Sequence, residues 1–358
     1  MTQMIQELRP EEYPEFCALW KKAFGDGPEV VDELFQALGD SVTAYVMGFD
    51  QLAAELTQFD MGSVIMADGS ELPALISYAI CTDPDYRGKG LGSSITTFAK
   101  DRANGDHKAS ILCPAEPGLV WFYQPLGYHA LFPVRETIMR RSAIDALRKD
   151  LFQAAEGLEA RKQNGVVLEI LTPGKYGDVR ESYLQGTVHF RLSPEILKYI
   201  GGGWTRFCRI RVNGIEMGIC TVHVEKRAEE APGLPAAGPE QVMVIEELLV
   251  KPEMTDHFTA EMLGAAVADW GRCRICQMRS PVENAPAAED YGAEASGSEG
   301  SPEKSGVLDA RVQTVFTAIH HDVETQAMIA FPDEKTKKAF LKSAEKSPLK
   351  PYFGFPLD

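Results

Sequence analysis

Arg87, Gly88, Lys89, Gly90, Leu91 and Gly92 form a run in which glycine recurs at every second position and two cations flank it. Residues 75–82 before it are apolar and rich in strand formers. Asp83-Pro84-Asp85 breaks that strand, because Pro84 cannot donate to a ladder and its neighbours favour turns. Residues 91–102 after it read as a helix, with Ile95, Phe98 and Ala99 spaced for its buried side. Glycine lets a backbone pass close to a ligand and take positive φ without steric cost. The sequence thus predicts free N–H groups at a helix start, where the partial positive charge favours an anion such as phosphate. The plain alternative is a strand-turn-helix connection with glycines for geometry only. The run is neither a P-loop nor the dinucleotide fingerprint, since Ser93 stands where the latter needs its last Gly or Ala.

The second group with chemistry in it is Phe122-Tyr123-Gln124-Pro125-Leu126-Gly127-Tyr128. A helix entering at Glu116-Pro117 and ending at Leu126-Gly127 would carry it, with Pro near its start and Gly past its end. A phenol can donate one proton, and its position matters more than its ordinary pKa of about 10. The alternative for Tyr123 is a core aromatic.

Both segments resemble signatures of the GNAT superfamily of N-acetyltransferases, and they occur in that family's order. The first resembles its acetyl-CoA pyrophosphate loop, R/Q-x-x-G-x-G/A, matched by Arg87 through Gly92; Pro84 and Tyr86 are similar as well. The second resembles F-Y-x-x-x-G-F/Y. The resemblance implies that backbone groups of Arg87, Gly88, Lys89, Gly90, Leu91, Gly92 and Ser93 hold the pyrophosphate. It implies that Ile80, Cys81 and Thr82 face the pantetheine arm and the acetyl carbonyl, and that Tyr123 protonates the leaving thiolate. Residues 108–113 would form a strand splaying from 75–82, with the arm binding in the gap like an added strand. Cys81 has no base beside it in sequence, and the family transfers acetyl directly, so packing or backbone contact is favoured for it over a nucleophilic role.

Composition bounds the rest. The chain has 358 residues, 44% hydrophobic, with a net charge of −16. Length suggests two domains, or three. The acidic balance argues against a nucleic-acid partner and suits cationic amines, although acidity also simply favours solubility. No secretory leader and no apolar run of about 20 residues is evident, so a cytoplasmic protein without membrane contact is expected. Seven scattered cysteines fit a reducing compartment. Cys273 and Cys276 read as small apolar residues, and His320-His321-Asp322 diverges along any regular element, so no metal site is expected.

The elements that must position these residues follow from periodicity. A first strand lies within 4–8, and helices cover 10–24 and 30–38, the helix pair that the GNAT fold sets beside its acceptor cleft. Residues 41–49 and 52–59 read as antiparallel strands and 63–67 as a further short strand, closed by the Asp68-Gly69 turn. Residues 134–141 close the first domain and 143–162 form a charged helix. Strands at 166–171, 206–211, 215–224, 243–250 and 272–278 follow, with a helix at 258–270 and a surface loop at 225–240. Hairpin, strand, Pro, helix and strand repeat the order of the first half. Lys251-Pro252-Glu253-Met254-Thr255-Asp256-His257 stands where the glycine loop would be and has no glycine. Residues 285–306 lack the apolar side chains to offset ordering entropy and read as a mobile insertion. A helix is expected at 334–344, and the aromatic end at 350–358 as a docked tail.

The fold class expected is therefore α+β: two GNAT-like domains, each a mixed sheet flanked by helices, the second degenerate. The division is 1–141, a connector at 142–165, and 166–358. The arrangement resembles the enhanced-intracellular-survival class of tandem acetyltransferases, in which the terminal carboxylate enters the active site as a base. That resemblance implies a catalytic role for Asp358; a last strand packed on the second domain is the alternative. The implied function is acetyl transfer from acetyl-CoA to a primary amine of a small molecule or peptide. The rivals are a non-catalytic CoA-binding sensor or interaction protein, and an aminoacyl transferase using charged tRNA, which the acidity disfavours. A homo-oligomer stays open.

Overall fold

Pro14 in its first turn and Gly25 after its end bound helix α1 (Tyr13–Phe24), and Pro28 opens α2 (Pro28–Leu38). The computed structural model describes residues 5–155, 165–203, 205–227, 240–284 and 318–354. Strand β1 (Gln6–Glu7) pairs with β2 (Val42–Gly48), and β2 with β3 (Leu52–Ile65), all antiparallel. Asp68 and Gly69, the latter at φ +83°, turn β3 into β4 (Glu71–Thr82). Helices α1 and α2 cover one face of β3 and β4 through Phe16, Trp20 and Leu34. Helix α3 (Leu91–Gly105) covers the other through Leu91, Ile95 and Ala99.

The two strands expected at 52–59 and 63–67 are one. Register shifts between Phe59 and Gly62, but the chain does not leave the sheet. The reason is a late strand, β8 (His189–Leu192), which pairs with residues 62–65 and supplies the ladder partners that a loop would lack. Gly62 is required there, since a Cβ would strike the Arg191 carbonyl and the Phe190 ring.

Strands β4 and β5 (Ala109–Leu112) run parallel and pair only over 74–77 against 109–112. Beyond that point they part. Helix α4 (Val120–Tyr123) follows, flanked by 3-10 turns at Pro117–Leu119 and Gln124–Leu126, so the helix expected across 116–127 is broken at both ends by its prolines. Strand β6 (His129–Arg140) runs directly into α5 (Arg141–Ala155).

The second half repeats the scheme. Strand β7 (Val166–Ile170), helix α6 (Pro173–Tyr183), β8 and helix α7 (Pro194–Gly202) come first. Then β9 (Arg206–Val212), β10 (Ile215–Arg227) and β11 (Glu240–Val250) form an antiparallel meander. Helix α8 (Ala260–Trp270) carries the chain to β12 (Ile275–Ser280), which is parallel to β11 as β5 is to β4. Strand β13 (Ile319–Ala330) and helix α9 (Glu334–Lys346), capped by Asp333, complete the described chain.

All these strands join in one sheet, ordered β1-β2-β3-β4-β5-β13-β6-β12-β11-β10-β9-β7, with β8 attached to β3. The sheet does not part at residue 141. Strand β13, from the end of the chain, lies between β5 and β6 and is antiparallel to both, and β6 pairs with β12 on its other side. One core cluster likewise runs from Phe16 through Tyr176 and Ile196 to Phe340 and Phe353. A second, under α5 and α8, includes Met139, Ile144, Ile245, Leu263 and Cys276. No helix among the described residues is long and apolar enough to cross a membrane.

Candidate functional site

After β4 the Asp83 side chain accepts from the Asp85 N–H and starts a 3-10 turn at Pro84–Tyr86. Gly88 and Gly90 follow at φ +76° and +79°, in the left-handed region where a side chain is strained. Gly90 is the N-cap of α3, and the Ser94 N–H is the first to bond back, to the Gly90 carbonyl. The N–H groups of Gly88 to Ser93 form no hydrogen bond among the described residues, so this helix start can receive an anion. Gly92 faces Thr82, whose Oγ1 would lie 3.2 Å from a Cβ there. Arg87 Nε donates to the Thr82 carbonyl at 3.3 Å, and Lys89 Nζ lies 4.5 Å from the Tyr86 ring centroid. A residue that sequence reasoning missed, Lys22 on α1, closes the turn: its Nζ is 2.8 Å from Asp83 and 3.5 Å from Asp85.

The equivalent start of α8 is different. Thr259 caps it, accepting from the Met262 N–H, and Phe258 is buried just before it. No glycine is present, and Glu253 adds negative charge to the turn.

The gap beyond 74–77 is shaped by a bulge. Register between β3 and β4 shifts between Glu55 and Thr57, and Ala79 sits at φ +50°. Such a bulge unpairs and re-aims backbone. Tyr78, Ala79 and Ile80 are only half-buried there. Tyr123 packs beside Ile80, Leu112 and Tyr128. Its hydroxyl makes no hydrogen bond among the described residues, and burial pushes its pKa up to about 12, so the phenol keeps its proton at neutral pH. The structure thus brings Ile80 and Tyr123 together and sets the 87–93 loop at the exit of the same strand.

Cys81 points to the opposite face, where it stands across from Glu55. Burial first, then the carboxyl of Glu55, pushes the thiol far up; it is no thiolate. Glu55 itself is 0% exposed, and neither carboxyl oxygen has a hydrogen-bond partner of good geometry among the described residues. Desolvation raises it to about 9, so it is held neutral. Its signal in the sequence was a lone charge inside an apolar strand, a position that is rarely buried without purpose.

A cavity of about 430 Å³ opens beyond the end of β5, walled by Cys113, Pro114, Trp121, Val134, Arg279 and residues 322–326. The tail comes alongside it: Gln326 Nε2 donates to the Gly354 carbonyl. Tyr352 and Phe353 are fully buried. Arg180 donates to the carbonyls of Phe190 (2.8 Å) and Phe353 (3.3 Å) and pairs with Glu247 at 3.0 Å, which also accepts from Tyr176 at 2.5 Å. Gly354, at φ +92°, passes so close that a Cβ would fall on Arg180 and Glu247. Asp358 lies outside the described residues, as do the expected insertion at 285–306 and most of the 225–240 loop. His321 Nδ1 is 3.0 Å from Thr137 Oγ1, and no group of three or more metal-ligating side chains occurs among the described residues.

Residues 4–131 match the family model described as an acetyltransferase (GNAT) domain. No curated protein matches the chain. Among solved structures, a probable N-acyltransferase from Enterococcus faecalis V583 is similar at 15% identity, covering 96% of this chain and 75% of its own, with a TM-score of 0.60. A GCN5-related N-acetyltransferase from Anabaena variabilis gives 13% identity, 93% and 73% coverage, and a TM-score of 0.59. Eis1 from Mycobacterium abscessus gives 12%, 94% and 76%, and 0.53. At these identities the likeness is one of fold, and it spans both halves of the chain.

Proposed function

We propose that the GNAT domain of this chain moves the acetyl group of acetyl-CoA to a primary amine by direct attack, with residues 1–141 carrying the chemistry and 166–358 a GNAT-like unit that binds no CoA. The observation that carries this reading is the helix start at Gly88–Ser93, with free N–H groups beside the gap between β4 and β5. Those N–H groups hold the pyrophosphate without reorganising, and the unpaired edge of residues 80–82 aligns the thioester arm. The amine nitrogen attacks the acetyl carbon, the C–S bond breaks, and the sulfur takes a proton from the Tyr123 hydroxyl. In this reading the amine's own proton goes to the carboxylate of Asp358. The capped, glycine-free start of α8 supports the inert role of the second half.

Isothermal titration with CoA tests the proposal. We expect binding by the natural chain and none by Gly88→Glu/Gly90→Glu; no binding by the former, or equal binding by both, defeats it. Acetyl-CoA turnover over aminoglycosides, polyamines and N-terminal peptides then separates an enzyme from a silent binder. Removal of residues 355–358 should abolish turnover and spare CoA binding if Asp358 is the base.

A further inference from the structure

Helix α4 is a single turn of four residues, with 3-10 turns on both sides. So short a helix does not hold itself in water, and the place of Tyr123 must come from what α4 leans on. Helix α3 meets this segment at two points. In the first turn of α3, a Cβ on Gly92 would lie 3.7 Å from the Phe122 ring, so the ring rests beside bare backbone. About two turns further along, Lys100 Nζ donates to the Leu126 carbonyl at 2.8 Å. Leu126 closes the 3-10 turn after Tyr123, and Gly127 leaves it at φ +93°. A carbonyl at such an end lacks a partner within the helix, and a cation suits it.

Lys100 is drawn in for this contact. Only 18% of its side chain is exposed, whereas Asp101, 3.4 Å from its ammonium, is 66% exposed. Enclosing a lysine stem costs rotamer freedom that a solvent-facing lysine keeps. Gly127 makes the room, since a Cβ there would stand 3.6 Å from Nζ. On the other side, the rings of Tyr123 and Tyr128 meet edge to face at 6.1 Å, and the Tyr128 hydroxyl is 2.8 Å from Ser110 Oγ on β5. Tyr123 is thus set between β5 and the helix whose start is the proposed pyrophosphate site.

We propose that Lys100 is a positioning residue for the proton that the leaving sulfur takes. By holding the Leu126 carbonyl to α3, it fixes the Tyr123 hydroxyl at a set distance from the pyrophosphate loop on the same helix, where the CoA sulfur arrives. The proposal rests on the acetyl-transfer reading with Tyr123 as acid. A phenol that donates to sulfur favours the thiolate and lowers the pH at which a bound thiol ionises. The ultraviolet absorbance of the thiolate reads that midpoint on bound CoA, with the desulfo-CoA complex as blank to remove tyrosinate. Calorimetry on the same samples gives the CoA affinity. Tyr123→Phe should raise the midpoint by about one pH unit, and Lys100→Met by at least half as much, each with CoA affinity within about twofold. Lys100→Gln, whose amide stops short of the carbonyl, repeats the test if the methionine variant melts early. A midpoint that moves in Tyr123→Phe and stays put in the Lys100 variant overturns this proposal alone. So does a Lys100 variant that loses CoA binding, since the residue then serves the cofactor and not the proton. A midpoint unmoved in Tyr123→Phe, or no CoA binding by the natural chain, defeats the transfer reading and this proposal with it.

Discussion

Tyr123 is a phenol raised by burial, and in the proposed transfer its value is that it stays protonated until a thiolate forms beside it. Tyr123→Phe should lower kcat about 100-fold, the size of a lost general acid, and leave KM for acetyl-CoA within about twofold. A variant with unchanged kcat would make the ring a packing residue. Glu55 makes a different kind of prediction. Its folded pKa lies near 9 against an ordinary value of 4.5. Between those values the unfolded chain has released a proton that the folded chain still holds, so this group costs stability as pH rises from 4.5 toward 9, and costs nothing below 4.5. Glu55→Gln should therefore be near neutral at pH 4 and stabilising at pH 8 by about 3 kcal/mol, discounted from ~1.4 kcal/mol per pH unit. Urea titrations at the two pH values measure it. Tyr123 was legible because its neighbours form a spaced pattern. The burial of Glu55 was not: the sequence shows only a lone charge in an apolar strand, and its enclosure depends on α1 lying over β3.

Among the elements, the strand–glycine loop–helix unit was the most legible, since each part announces itself: a β-rich run, alternating glycines, then helical spacing. Lys22 was invisible, being 61 residues from Asp83. Its ammonium pairs with two carboxylates in the turn that leads into the proposed anion site. Lys22→Met should weaken CoA binding about threefold with little change in melting temperature, as for an exposed ion pair; unchanged affinity would mean that the turn holds itself. Residues 172–205 show the opposite failing. The Thr172-Pro173 and Ser193-Pro194 pairs are helix starts written in the sequence, and both side chains do cap, to the N–H of Lys175 and of Ile196. The short strand between them was obscured by its length of four residues.

At the scale of the molecule, Arg180, Glu247, Tyr176 and the backbone of Phe353 tie the second half to the tail. Arg180→Met leaves a buried carboxylate without its counter-charge and should cost about 3–5 kcal/mol in chemical denaturation, whereas Arg180→Met/Glu247→Leu should recover most of that loss. A single variant as stable as the natural chain would show that the pair is not what fixes the tail. The internal repeat could be read because hairpin, strand, Pro and helix recur in order. Which strands lie side by side could not, since periodicity says that a strand is buried and not by what.

The insertion of β13 between β5 and β6 reaches back to the chain's own synthesis. While a nascent chain is still on the ribosome, residues 109–140 have been made and their final neighbour has not. Two bare strand edges must wait for some 180 further residues, the interval between β6 and β13, a setting in which unpaired edges invite sticking to other chains. A fragment ending at residue 141 should accordingly emerge as soluble aggregate in size-exclusion chromatography, and a peptide of residues 319–330 supplied during refolding should draw part of it back to monomer.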